Sequence, residues 1–189
     1  MDPAPTLPAG PWWLVLFALL AGGALGVVLA RRLAEAGYRI DEEEQHPPLR
    51  ALWAVPPGLA AVWAVLAWHL GGRAGGVALP AYLLLAVSGA ALLRIDLDVH
   101  RLPEGLTLPT AAAAAGLLLV AAALAADWAA LGRGLLAAGA TFLALGLLTW
   151  ISGGMFGFGD VVLGTTLGLA LGYLDGRAAV WGPAYAFLL

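Results

Sequence analysis

Gly157-Phe158-Gly159-Asp160-Val161-Val162-Leu163 sets a lone carboxylate behind two glycines and in front of an apolar run. A charge at the edge of a hydrocarbon layer is costly unless it is paired or used, so an ionisable residue there is a candidate functional group. The same residue suits a helix start. Asp is a good N-cap and favours the positive end of the helix dipole. The local sequence leaves both roles open, and the rest of the chain decides whether the run that follows belongs to a membrane span.

In both directions from this stretch the chain stays apolar. Of its 189 residues, 62% are hydrophobic and 11% charged, against about 45–50% and about 25% in soluble domains. Apolar runs of about 20 residues recur along the whole length, each long enough to cross roughly 30 Å of hydrocarbon. The expected fold is all-α, a polytopic transmembrane helical bundle of about six spans plus a partial seventh. Residues 1–189 are expected to form a single integral membrane domain.

The first expected span covers residues 11–30, with Trp12 and Trp13 at one interface and Arg31-Arg32 at the other. Gly22 and Gly26 form a small-xxx-small pair suited to close helix packing. The run Asp41-Glu42-Glu43-Glu44 reads as a solvated loop, with His46 a loop residue beside Pro47-Pro48. The second span is expected over 52–70, with Pro56-Pro57 near its start and His69 near its far interface. The third covers 80–98, and Pro103 stops any helix arriving from upstream. The fourth covers 106–126. Asp127-Trp128 to Gly132-Arg133 reads as a turn before a fifth span over 135–151. The sixth is expected over 161–174, and 178–189 looks like the start of a seventh.

With the N-terminus outside, six arginines (Arg31, Arg32, Arg39, Arg50, Arg94, Arg101) face the cytoplasm and three (Arg73, Arg133, Arg177) face the other side. This satisfies the positive-inside rule. It puts Asp96 at the cytoplasmic end of span three and Asp160 at the cytoplasmic start of span six, at one membrane depth.

The net charge of −3 is small and says nothing about partners, but there is no basic stripe, so no nucleic-acid partner is expected. The absence of cysteine excludes disulfides, thiolate nucleophiles and thiolate zinc sites. No metal or cofactor is expected. The N-terminus does not read as a cleavable signal peptide, since residues 1–10 carry no basic residue and the first apolar run is too long.

Two carboxylates a few ångströms apart cannot both ionise cheaply, so they share a proton. One can then act as general base on a water while the other, protonated, polarises a peptide carbonyl, as in aspartic proteases. Gly157 and Gly159 carry no side chain to block a substrate backbone approaching Asp160. Gly164, Gly168 and Gly172 continue at four-residue spacing and leave a thin helix face, which is expected to admit a helix bringing the second carboxylate. That second carboxylate is Asp96 or Asp98. Two residues along a helix lie about 200° apart, so both cannot face one site. Pattern alone does not choose.

At these residues the chain resembles the type IV prepilin peptidases, leader peptidases of the GxGD class of membrane aspartic proteases. The family's first aspartate lies in an Ile-Asp pair before Leu-Pro-Asp and a Leu-Thr-Leu-Pro run. Here the counterparts are Ile95-Asp96, Leu102-Pro103-Glu104 and Leu106-Thr107-Leu108-Pro109. The family's Gly-x-Gly-Asp is matched by Gly157-Phe158-Gly159-Asp160. The resemblance covers about residues 80–174, the expected peptidase-like core, and selects Asp96 over Asp98.

It implies a multi-pass protein of a bacterial cytoplasmic (inner) membrane, in contact with membrane lipid. Asp96 and Asp160 would be catalytic and Gly157 and Gly159 substrate-binding, with a prepilin or pseudopilin as substrate. Long members carry a cysteine-containing cytoplasmic region and also N-methylate the pilin. Residues 31–50 here are short and cysteine-free, so neither zinc nor methyltransferase activity is expected. Val162 stands where the family usually has Lys, and Glu104 replaces its Asp. Two other readings stand beside this one. The first is a carboxylate-based ion or proton-coupled transporter; such proteins often show inverted repeats with broken helices, and the sequence shows no convincing internal repeat, although Pro56-Pro57 could break span two. The second, motivated by Val162, is an inactive homologue acting as a scaffold in a secretion system.

Overall fold

The computed structural model describes residues 10–40, 52–72, 74–153 and 157–176. Among them every regular element is helical: α1 (Trp12–Ala34), α2 (Val55–Leu70), α3 (Leu79–Val99), α4 (Glu104–Ala125), α5 (Trp128–Ile151) and α6 (Phe158–Leu174). Short 3₁₀ turns lead into α2 and α3. Five helical segments are long and apolar enough to cross a membrane. The sixth helix, α6, has 17 residues and a length of about 26 Å. The acidic run at 41–44, His46, Pro47-Pro48, Arg73, residues 154–156 and the expected seventh span at 178–189 lie outside the described residues.

The chain divides into two compact units, Met1–His100 and Arg101–Leu189. The expected peptidase-like core at 80–174 draws on both. In the first unit α1 and α2 pack antiparallel. A Cβ added at Gly22 would lie 3.0 Å from the Trp63 Cβ, and one at Gly26 would lie 2.6 Å from the Pro56 Cα. The Gly22/Gly26 pair therefore does the close packing its spacing predicts, since lipid-embedded helices gain from van der Waals contact between small residues. Pro56 and Pro57 sit in the first turn of α2, where backbone N–H groups have no partner within the helix. The helix runs on unbroken to Leu70, so the broken span of the transporter reading does not form.

In the second unit α6 packs chiefly on α5 and also on α4. Two helix starts differ from expectation. α5 begins at Trp128, seven residues before the expected start at 135. The Asp127 side chain accepts a hydrogen bond from the Ala130 N–H (2.9 Å), so the charge that read as a turn is an N-cap. α6 begins at Phe158, because Gly157 takes an extended N-cap conformation (φ −69, ψ 148). Gly159 and Asp160 thus lie inside the first turn of the helix.

Apolar side chains cover the outward faces. On α5, Leu136, Leu143 and Trp150 are 78%, 71% and 80% exposed. Such a surface suits hydrocarbon and would be an aggregation site in water. Trp128 and Trp150, both exposed, stand about 33 Å apart along α5. That spacing matches the two interfacial belts where tryptophan gathers.

Candidate active site

Each expected carboxylate is held by its own unit. Asp96 lies in the last turn of α3 and is exposed. His100 ends the helix in the left-handed conformation (φ 51), and its N–H donates to the Asp96 carbonyl at 2.7 Å. The backbone at Asp96 is thereby tied down. Among the described residues no hydrogen bond or ion pair engages its carboxylate.

Asp98 has a different environment, as the angular separation predicts. Its carboxylate accepts from Arg39 Nε and Nη2, each at 2.8 Å, and from the Tyr38 hydroxyl at 2.7 Å. The Arg39 and Asp98 side chains are only 5% and 2% exposed. Burial, then the neighbouring Asp98 carboxylate, pushes the Tyr38 phenol above its ordinary range. The hydrogen bond to Asp98 raises the Arg39 guanidinium further. This forked pair fastens the segment after α1 to the end of α3, 59 residues away in sequence. Sequence reasoning counted Arg39 only toward topology. The Tyr38-Arg39 dipeptide just past α1 was the available signal, but nothing in it names the partner.

Removing one member of a buried pair strands the other charge, whereas an exposed pair contributes little. Asp98→Asn is therefore expected to lower the thermal midpoint in detergent by several degrees. Glu35→Gln, which removes the exposed Arg32–Glu35 pair, should shift it by no more than about one degree. Equal shifts would show that the Arg39–Asp98 fork contributes no more than a surface pair.

In the second unit, Asp160 is part-buried and its Oδ2 accepts the Gly157 N–H at 3.1 Å. With glycine at the N-cap, only the carboxylate half of a capping box exists. One oxygen satisfies the helix start. The other has no hydrogen-bond partner among the described residues. The two roles left open by the sequence are compatible at the level of single atoms.

Of the two glycines expected to admit substrate, Gly157 is exposed and meets only the Asp160 carboxylate. Gly159 is buried. A Cβ there would lie 2.7 Å from the Leu102 carbonyl oxygen and 2.9 Å from the Leu102 Cβ. In this structure Gly159 therefore serves close packing, and Leu102 fills the space expected for a peptide. The same contact sets Leu102-Pro103, at the start of α4, against the first turn of α6. The first turns of α4 and α6 carry Glu104 and Asp160 respectively.

No protein-family model, curated protein or solved structure matches this chain.

The thin face of α6 has a different occupant from the one expected. A Cβ at Gly168 would lie 2.7 Å from Thr141 Oγ1, and one at Gly172 would lie 2.7 Å from the Ala137 Cβ. α5 fills this face, and its facing residues Gly134, Ala137 and Thr141 bring no carboxylate. The seam closes the α5–α6 hairpin. Among the described residues no three His, Asp or Glu side chains converge as a metal site.

Proposed function

We propose that this chain is a membrane-embedded aspartic endopeptidase that removes the leader peptides of type IV prepilins or pseudopilins at the cytoplasmic face of a bacterial inner membrane. Asp96 and Asp160 are its catalytic pair. The observation that carries the reading is the packing of Leu102 on Gly159. It joins the Leu-Pro and Gly-x-Gly-Asp motifs, more than fifty residues apart in sequence, beside one carboxylate with an unused oxygen. The second support is the contrast on α3. Asp98 is consumed by Arg39 and Tyr38, while the Asp96 carboxylate is exposed and uncommitted.

In the proposed reaction one carboxylate takes a proton from water as the oxygen attacks the scissile carbonyl. The other, protonated, hydrogen-bonds the carbonyl oxygen as charge develops on it. Collapse breaks the C–N bond, and the leaving amine takes up the proton. Gly157, exposed beside Asp160, leaves room for the substrate backbone.

The test is cleavage, in proteoliposomes, of a substrate with a basic leader ending in Gly before an apolar helix. Asp96→Asn is expected to abolish cleavage, and Asp98→Asn to retain it at reduced protein stability. Full processing by Asp96→Asn would remove the mechanism.

A further inference from the structure

The first unit holds a cavity of about 660 Å³ between the first half of α2 and the second half of α3. Its size falls within the range of small-molecule sites, about 300–1,000 Å³. The walls include Gly58, Leu59 and Val62 from α2 and Gly89 and Leu93 from α3, and every lining residue except Arg94 is apolar. Arg94 is only 7% exposed. The two glycines widen the slot, since a Cβ at Gly58 or Gly89 would meet no protein atom within 4 Å. Leu93 and Val62 are 62% and 46% exposed, so the slot opens sideways to the surroundings of the helices.

We infer that this groove binds an acyl chain of an anionic phospholipid, with the lipid phosphate on Arg94. The inference requires only that these helices lie in a bilayer and is independent of the peptidase reading. The lining of α3 runs from Ala86 to Leu97, about 17 Å along the helix axis, so the apolar slot is elongated along the helices and suits a polymethylene chain. Charge selects the headgroup. A guanidinium carries five N–H donors and offers phosphate a planar fork even while it keeps another interaction. Arg94 lies near the end of α3 that the arginine distribution assigns to the cytoplasm, where anionic lipid headgroups attract basic residues.

Native mass spectrometry of the full chain in detergent, supplied with phosphatidylglycerol or phosphatidylcholine of identical acyl chains, tests the inference. The wild type is expected to retain phosphatidylglycerol with a preference of about fivefold or more. Arg94→Gln should bring the two lipids to parity, and Gly89→Leu should lower retention of both. If Arg94→Gln does not fold, the wild-type preference and Gly89→Leu decide, because a Cβ at Gly89 meets no protein atom within 4 Å and the added side chain starts in open space. Equal retention of the two lipids by the wild type, or unchanged retention by Gly89→Leu, would overturn the inference. So would a dimer that Gly89→Leu dissociates, since a second copy would then be the occupant.

Discussion

Asp160→Asn is expected to reduce leader-peptide cleavage by at least about 10²–10⁴-fold, the contribution of a positioned acid or base, and to leave α6 folded. The two roles of this residue separate at that substitution. As a cap, Asp160 needs only an oxygen that accepts the Gly157 N–H, now made at 3.1 Å. The amide oxygen of Asn supplies one. What Asn loses at the cap is the charge–dipole attraction at the helix start, about 0.3–1 kcal/mol. As a catalytic group, Asp160 must give up and take back a proton, which an amide cannot do. A cap therefore predicts nearly normal cleavage and a small fall in thermal midpoint, and a catalytic carboxylate predicts the same small fall with cleavage lost. Asp160→Ala, which loses the hydrogen bond as well, should be the less stable of the two variants. Cleavage rate and melting midpoint measured on one preparation decide between the roles. Normal processing by Asp160→Asn would reduce this residue to a helix cap.

The helices were legible because hydrocarbon imposes length and apolarity on any segment that crosses it, and those properties are written locally. The start of α2 was also legible, since Pro56 and Pro57 fall in its first turn. The α5 start was misread for a physical reason. Gly132 and Gly134 look alike in sequence, yet a Cβ at Gly132 would meet open space while one at Gly134 would lie 2.8 Å from the Leu169 carbonyl oxygen. A glycine in a turn and a glycine under a neighbouring helix differ only once the neighbour is known. Asp98 teaches the same lesson. Its separation from Asp96 around the helix was readable, but its partners Tyr38 and Arg39 lie on the far side of α2 in sequence. Gly159 was expected to admit a substrate backbone, and the backbone that lies against it in the fold is that of Leu102.

Gly172→Leu is expected to separate α5 from α6, at a cost of about 1–3 kcal/mol for overpacking or more where the contacts cannot yield. At this position they cannot. A Cβ would lie 2.7 Å from the Ala137 Cβ, 2.9 Å from the Arg133 carbonyl oxygen and 3.0 Å from the Gly134 Cα. None of these atoms can move by rotating a side chain. Gly146→Leu adds the same apolar volume on α5, where a Cβ meets nothing within 4 Å, and should leave the melting midpoint unchanged or slightly raised. At Gly164 the nearest atom is the Leu145 Cδ1, the tip of a flexible side chain, and Gly164→Ala should be tolerated. The series carries a further consequence. Gly172 lies twelve residues beyond Asp160, about 18 Å along the same helix. A helix pushed off its partner there tilts about its other end, where Gly159 rests on Leu102. Gly172→Leu should therefore lower cleavage as well as stability, through a residue too far from the carboxylate to touch a substrate. A fall in cleavage without a fall in melting midpoint would contradict this, because it would require Gly172 to act at the site and not through the seam.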